Sequence, residues 1–133
     1  FIIPVHNSES TIIETLDSIL VGNYISGDEI IIVDDYSSDK TVEIIKEYIQ
    51  KNKSISLFCH NENRGSAASG RNTGISQARN EYIFCLDSDN ILAPNSIHRL
   101  KDFLISILQS QYHIQVTKLM QLLAFLKTKV LKN

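Results

Sequence analysis

Hydrophobic residues in the first 90 positions alternate between short continuous runs and spaced stripes. The short runs, rich in β-branched and aromatic residues, occupy residues 1–5, 30–33, 55–59 and 82–86. Runs of this length and composition are typical of strands that are buried on both faces of a parallel sheet. The pattern therefore predicts four strands, the last of which is a buried strand that leads directly into two acids.

Between these runs, hydrophobic residues recur at the three- and four-residue spacing of a helix. The predicted helices run from a cap at Ser8 or Ser10 to about Leu20, from about Thr41 through Ile49, and from Ala67 or Ser69 to Arg79. The third helix would turn Ile75 and Ala78 inward. Strands that alternate with helices through short loops predict an α/β fold with a mainly parallel sheet and right-handed crossovers.

The last 40 residues predict a helical tail. Pro94 would open a helix whose apolar residues extend from Ile97 to Leu108. A less regular stripe from Val116 to Val130 predicts another helix with lysines on its polar side. No apolar run approaches the roughly 20 residues that are needed to cross a bilayer.

Composition describes an ordinary globular chain whose charge is unevenly divided. The 133 residues, 43% of them hydrophobic and 21% charged, suffice for one domain with a core and give no sign of disorder. Net charge is −2, yet residues 1–96 carry 7 basic and 14 acidic side chains, whereas residues 97–133 carry 6 and 1. No nucleic-acid partner is expected.

The two cysteines, Cys59 and Cys85, lie in predicted strands and lack metal-ligand spacing. We interpret them as reduced core residues. Because the sequence shows no secretory signal, a cytoplasmic location is expected, with or without contact to the inner face of the membrane. The chain begins without Met inside an apolar run and is interpreted as a fragment.

Acidic residues directly follow two of the predicted strands. Asp34 and Asp35 end the second run, and Asp87 and Asp89 follow the fourth at i, i+2 spacing. The carboxyl ends of parallel strands meet at one edge of the sheet, where open α/β sheets bind ligands. A divalent cation carrying a phosphate would neutralise carboxylates at this edge, and a helix cap or an Asx-turn is the alternative role for them.

Four motifs in this order resemble the amino-terminal half of a family 2 glycosyltransferase, which has the GT-A fold. The motifs are residues 1–7 (Phe-Ile-Ile-Pro-Val-His-Asn), 32–41 (which begins Ile-Val-Asp-Asp), 63–74 (Asn-Arg-Gly to Thr-Gly) and 86–90 (Leu-Asp-Ser-Asp-Asn). The resemblance implies a truncated three-layer α/β/α Rossmann-like domain. Residues 1–98 would form its donor-binding part, and residues 99–133 would form a helical tail unlike the acceptor half.

The resemblance implies a base-binding role for residues that end the first two strands. Pro4, His6 and Asn7 would lie beside the base of a nucleotide sugar. Asp35, supported by Asp34, would accept a hydrogen bond from the base. A solvated turn for His6, and a helix cap or loop for the two acids, are the simpler alternatives.

The resemblance also implies a site for the diphosphate. Arg71 would lie close to the base-binding acid and the nucleotide, although Gly70 stands where the family has alanine, and a plain surface arginine is the alternative. Asp89 would bind Mn²⁺ or Mg²⁺, and Asp87 would contact the ribose or the metal. Asn90 replaces an acid that is common after this motif. The cation would stabilise charge on the departing nucleoside diphosphate.

The implied function is transfer of a sugar from a nucleotide-diphosphate sugar, for which a UDP-sugar is the first expectation, to a hydroxyl group. The acceptor would be a saccharide or a lipid-linked molecule in polysaccharide or glycoconjugate synthesis. Inverting members of the family also need a general base to deprotonate that hydroxyl. After Asn90 the sequence has one acid, Asp102, inside a predicted helix. The general base is therefore judged absent, and donor binding is expected from this chain rather than turnover.

Two other functions stay open at this point. A haloacid-dehalogenase-like phosphatase also carries Asp-x-Asp after a strand, but Asn90-Ile91 follows here where threonine or valine is usual. A non-catalytic module would use the lysine stripe of residues 116–132 on a partner or an anionic membrane, unless that helix simply covers the sheet. An exposed sheet face could also form a homodimer.

Overall fold

The computed structural model describes the backbone of residues 1–112 and the side chains of residues 1–108, and it divides the chain into two compact units. The first unit, Phe1–Pro94, contains β1 (Ile2–Val5), α1 (Ile12–Leu20), β2 (Ile30–Asp34), α2 (Thr41–Lys51), β3 (Ile55–Cys59) and α3 (Ala67–Gln77). The second unit begins at Asn95 and contains α4 (Ser96–Tyr112). The helix and lysine stripe predicted beyond residue 115 lie outside the described residues. A functional boundary at residue 98 stays a prediction.

The three strands form a parallel sheet in the order β1-β2-β3. Ile3 of β1 pairs with Ile32 of β2, which pairs in turn with Leu57 of β3. Every residue of β1 and β2 is buried, as expected for runs that are apolar on both faces. The predicted α/β class with a parallel sheet is confirmed.

Helices cover both faces of this sheet and make three layers. On one face, Ile3 and Ile32 join the buried residues of α1 and α2 in a single apolar cluster that includes Leu16 and Ile45. Successive residues of a strand point to opposite faces, so Ile2 and its neighbours in register face the other side, where α3 packs. The fold is therefore a three-layer α/β/α arrangement.

Two glycines allow α3 to lie very close to β1. A Cβ at Gly70 would come within 2.8 Å of Pro4 Cβ, and one at Gly74 within 2.4 Å of Ile2 Cγ2. Ile75 is 46% exposed, so the prediction that it faces inward was wrong. The inner face of α3 is defined by its lack of side chains, which a search for apolar periodicity cannot detect.

The predicted fourth strand is a short edge segment instead. Its backbone joins the sheet around Ile2, whose N–H donates to the carbonyl of Phe84 at 2.9 Å and whose carbonyl accepts from Leu86 at 3.0 Å. Leu86 is buried, but Tyr82 and Ile83 are exposed. The prediction of a buried strand was wrong because, within residues 1–112, this segment pairs with β1 on one side only.

Local details at the ends of elements also differ from the predictions. α1 begins after Thr11, and Ser8 contributes its backbone carbonyl rather than a capping side chain. Pro94 precedes α4 by two residues, and the intervening Asn95 has a φ of 60°. Both cysteines are free thiols but exposed, so their interpretation as core residues was wrong. Among the described helices, none combines the length and apolar character that a bilayer-spanning helix requires.

Candidate functional site

An open cleft of about 750 Å³ lies at the carboxyl ends of the strands. Of the sequence-predicted site residues, it is lined by Pro4, His6, Asn7, Asp35, Arg71, Asp87 and Asp89. These side chains come from four separate parts of the chain: the ends of β1 and β2, α3, and the turn after residue 86. They meet because parallel strands end at the same edge of the sheet. Asp34 is 2% exposed and is not among the lining residues.

Asp35 is a buried carboxylate that is held by donors on the protein side. Its Oδ1 lies 2.8 Å from His60 Nδ1, and the backbone N–H of Arg64 donates to Oδ1 and Oδ2 at 3.0 and 3.2 Å. Burial alone would raise the pKa of Asp35, but these hydrogen bonds and one from the Gly65 N–H outweigh it and lower that pKa. Asp35 is therefore an ionised acceptor at neutral pH.

His60 is a site residue that sequence reasoning missed. It is buried directly after β3, and its Nε2 lies 2.9 Å from Thr73 Oγ1 on α3. Its position offered a signal, because β3 neighbours β2 and their carboxyl ends meet. A lone histidine after a short strand was not connected to Asp35, since only the register of the sheet places the two side by side.

His6 sits at the mouth of the cleft in a defined tautomer. Its Nδ1 lies 2.9 Å from the backbone carbonyl of Asp35, which can only accept, so Nδ1 carries the proton. Its Nε2 lies 3.3 Å from the amide nitrogens of Asn7 and Asn63, which donate to it. The ring is thus braced between the ends of β1 and β2, and not a freely solvated turn residue.

Asn7 and Asp34 hold the loop after β2. Asn7 has a φ of 50°, its N–H donates to Ser37 Oγ at 2.9 Å, and its Oδ1 accepts from the Ser38 N–H at 2.8 Å. Asp34 Oδ2 accepts from the Ser37 N–H at 3.1 Å, which closes an Asx-type turn. These contacts hold the loop around Tyr36, whose backbone lies in the left-handed region with a φ of 62°.

The two acids after the edge segment lie on a turn whose middle residue points inward. Ser88 Oγ lies 2.8 Å from Ser8 Oγ, and the Ser88 carbonyl accepts from Thr15 Oγ1 at 2.9 Å. Asp87 and Asp89, on either side, are exposed. Because most of the segment before them is itself exposed rather than a buried strand, both acids are open to solvent.

Arg71 forms an ion pair with Asp87 rather than with Asp35. Its Nη2 lies 2.5 Å from Asp87 Oδ1, and the two side chains are 36% and 50% exposed. α3 carries Arg71 directly after Gly70, so the close approach of this helix to β1 brings Arg71 to the cleft at the strand ends. The resemblance implied that Arg71 lies close to Asp35. The structure shows that both residues line the same cleft.

The cleft suits a hard cation that brings its own ligands. Within the described residues, no three His, Cys, Asp or Glu side chains form a metal cluster. Asp87 and Asp89 supply carboxylate oxygens only, and Mg²⁺ is typically held by one or two carboxylates together with water and substrate phosphates. This donor set fits a cation that is bound jointly with a diphosphate.

Comparison with known proteins places the chain among enzymes of one family. Residues 1–116 match the family model described as glycosyl transferase family 2. An uncharacterized glycosyltransferase of Haemophilus influenzae is 36% identical over 116 residues, which are 87% of this chain and 44% of that protein. The match continues past residue 98, where the resemblance seen in the sequence ended.

Solved structures agree with this assignment. The 1–349 fragment of S. aureus TarS, in complex with UDP-GlcNAc, superposes with a TM-score of 0.66 at 29% identity, over 84% of this chain and 30% of that one. A Pyrobaculum calidifontis mannosyltransferase in complex with GDP-Man and Mn²⁺ gives 0.71 at 25% identity, over 77% and 30%. The chain spans about a third to under half of the length of the first relatives it matches. By sequence and by fold, it belongs to glycosyl transferase family 2.

Proposed function

We propose that this chain binds the nucleoside diphosphate of a sugar donor together with Mg²⁺ or Mn²⁺, for glycosyl transfer to a hydroxyl acceptor. The observation that carries the proposal is the convergence of Asp35, Arg71, Asp87 and Asp89 on one cleft at the carboxyl edge of the sheet. Asp35 is a buried hydrogen-bond acceptor that suits a base, and the exposed charges of Arg71, Asp87 and Asp89 suit a diphosphate bound with a cation.

The base would lie against the ends of β1 and β2. Pro4 and His6 offer apolar and aromatic surface there, and the ionised carboxylate of Asp35 can accept from a ring N–H. A carboxylate cannot donate a hydrogen bond, so it favours a base with an N–H on its recognition edge, such as uracil or guanine. We infer a UDP-sugar as the first donor to test, with support from the UDP-GlcNAc complex of a structural neighbour.

The diphosphate would lie beside Arg71, Asp87 and Asp89. Asp89 would hold the cation, with Asp87 as a second oxygen donor or as a partner of the ribose. When bound, the cation supplies positive charge to the diphosphate that departs from the sugar. Arg71 is already held by Asp87 on this side and adds a fixed guanidinium to the same pocket.

Donor binding, rather than turnover, is the activity proposed for this chain by itself. Residues 91–133 contain a single acid, Asp102, on α4. An inverting enzyme needs a base at the acceptor hydroxyl. In the whole protein, we propose that the acceptor is a saccharide or lipid-linked hydroxyl and that the base comes from outside residues 1–133. Family membership removes the phosphatase alternative, which rested on the Asp-x-Asp motif alone.

Calorimetric titration with UDP tests the proposal. We expect binding that is tighter with Mn²⁺ present and an Asp89→Ala variant that binds equally with and without the metal. Asp102→Ala is the matched control, since it removes an exposed aspartate from α4 and should behave as the parent does. Absence of UDP binding at millimolar ligand, or an Asp89→Ala variant indistinguishable from the parent, would contradict the proposal.

A further inference from the structure

His60 connects the base-binding acid to α3. Its ring lies in a buried position between Asp35 Oδ1, at 2.8 Å from Nδ1, and Thr73 Oγ1, at 2.9 Å from Nε2. Its side chain is 5% exposed and that of Asp35 is 9% exposed. Both nitrogens of the ring therefore have protein partners, and the ring is fixed at each end.

The hydrogen-bond directions follow from the chemistry of the partners. An ionised carboxylate only accepts, so His60 Nδ1 donates to Asp35. In the neutral ring Nε2 then accepts, and the Thr73 hydroxyl is the donor that faces it. The carboxylate of Asp35 thus sets the tautomer of His60, and Thr73 satisfies the remaining nitrogen from the helix that also carries Arg71.

The contacts on Asp35 are unevenly divided between its two oxygens. Oδ1 accepts from both His60 and the Arg64 N–H, whereas Oδ2 has the longer contact of 3.2 Å to that N–H, and the Gly65 N–H also acts on the carboxylate. The carboxylate lines the cleft. Oδ2 is accordingly the oxygen with lone-pair capacity left for a ligand.

We propose that His60, backed by Thr73, is the positioning residue of the nucleobase site. It anchors Oδ1 of Asp35 and so presents Oδ2 to an N–H of the base. The inference rests on the proposed function, because it assigns the residue that orients the acceptor of the same site. His60 itself does not line the cleft, which separates its role from direct contact with the ligand.

Four variants distinguish this role from simple core packing. In His60→Asn the amide nitrogen can replace Nδ1, so the donor to Asp35 is kept. In His60→Gln the amide reaches the position of Nε2 instead, and in His60→Phe both polar contacts are lost. Thr73→Val removes the hydroxyl that holds Nε2 and keeps the branched shape.

The first measurement is the affinity for UDP with and without Mn²⁺. A hydrogen bond to a charged group corresponds to about a tenfold to hundredfold change in affinity. We expect a loss of this size in the Phe and Gln variants, a smaller one in Thr73→Val, and near-parent affinity in the Asn variant. The ratio of affinities with and without Mn²⁺ should stay at the parent value in all of them, because the metal acids are not touched. Equal affinities for the Asn, Gln and Phe variants would overturn the inference.

The second measurement does not depend on nucleotide binding. The ¹³C signal of the Asp35 carboxyl group is followed by NMR as pH is lowered. The titratable side chains in contact with Asp35 are His60, at the carboxylate, and His6, at the backbone carbonyl. A midpoint that rises in the Gln variant but not in the Asn variant supports the inference, and an unchanged midpoint overturns it. If the parent failed to bind UDP, the proposed function would be contradicted. The titration would still show whether His60 anchors the carboxylate of Asp35. The Asn and Gln pair also decides it if His60→Phe does not fold.

Discussion

Ser8 and Ser88, which are 80 residues apart in the chain, share a hydrogen bond of 2.8 Å between their hydroxyl oxygens. Ser8 follows His6 and Asn7, and its N–H donates to the fully buried Thr41 Oγ1 at 2.7 Å. Ser88 lies between the two exposed acids. This contact joins the end of the cleft that we propose for the base to the end that we propose for the cation, so the protein itself sets the spacing between them.

Removal of this hydroxyl should loosen the acid turn. We expect Ser88→Ala to weaken Mn²⁺-dependent UDP binding several-fold and to lower the free energy of unfolding by about 1–2 kcal/mol, because Ser8 loses a partner at a buried site. Urea denaturation and calorimetry measure the two effects. Ser76→Ala is the control, since it removes an exposed hydroxyl on α3. Unchanged metal dependence in Ser88→Ala would show that the turn is held by other contacts.

The glycine face of α3 makes a prediction about packing. In Gly74→Ala the new methyl group would meet Ile2 Cγ2 at 2.4 Å, so helix or strand must shift. Overpacking of this kind costs about 1–3 kcal/mol, which exceeds the gain of about 1 kcal/mol from replacing glycine by alanine in a helix. Thermal and urea denaturation should therefore show a net loss. A stabilised Gly74→Ala protein would mean that α3 lies farther from β1.

The lowered pKa of Asp35 makes stability depend on pH. A carboxyl group whose pKa is lower in the folded than in the unfolded chain contributes stability above its usual value of 3.8. That contribution is lost as pH falls through the folded pKa. We expect the parent to be more stable than Asp35→Asn near pH 6 and the difference to shrink below pH 3.8. Urea denaturation from pH 6 to pH 3 measures it.

The comparison needs a control because the pKa values of Glu29 and Asp39 are lowered as well. Asp102→Asn removes an exposed carboxylate and should follow the parent at every pH. A gap between the parent and Asp35→Asn that stays constant across the range would contradict an ionised, hydrogen-bonded Asp35.

The ion pair of Arg71 and Asp87 should matter for ligand binding and little for stability. Both side chains are at least a third exposed, and pairs of this kind contribute less than about 1 kcal/mol. We expect Arg71→Ala to leave urea denaturation nearly unchanged and to weaken UDP binding most at low salt, where charges are least screened. Calorimetry at 20 mM and 500 mM NaCl, about a fivefold span in Debye length, measures this. Arg79→Ala, which removes an arginine outside the cleft, is the matched control. Equal loss at both salt concentrations would argue against a direct charge interaction.

The contacts between chain segments explain why some residues were missed. Ser88 was predicted only as the spacer of an acid motif, and His60 was not singled out. Each acquires its role from a partner far along the chain, 80 residues away for Ser88 and 25 for His60. Hydrophobic periodicity reports which face of an element is buried and carries no information about such partners.

By itself, the sequence determined the α/β class, the parallel strands and the family, because apolar runs and short acidic motifs are local properties of consecutive residues. The tertiary structure decided which acid is buried and which are exposed. Asp35 is a buried residue of the cleft and is hydrogen-bonded to His60, whereas Asp87 and Asp89 follow an edge segment and are exposed to solvent. It also decided that glycines form the inner face of α3. The physical reason is the same in each case: burial and hydrogen bonding depend on which distant segment packs alongside, and only the register of the sheet specifies that neighbour.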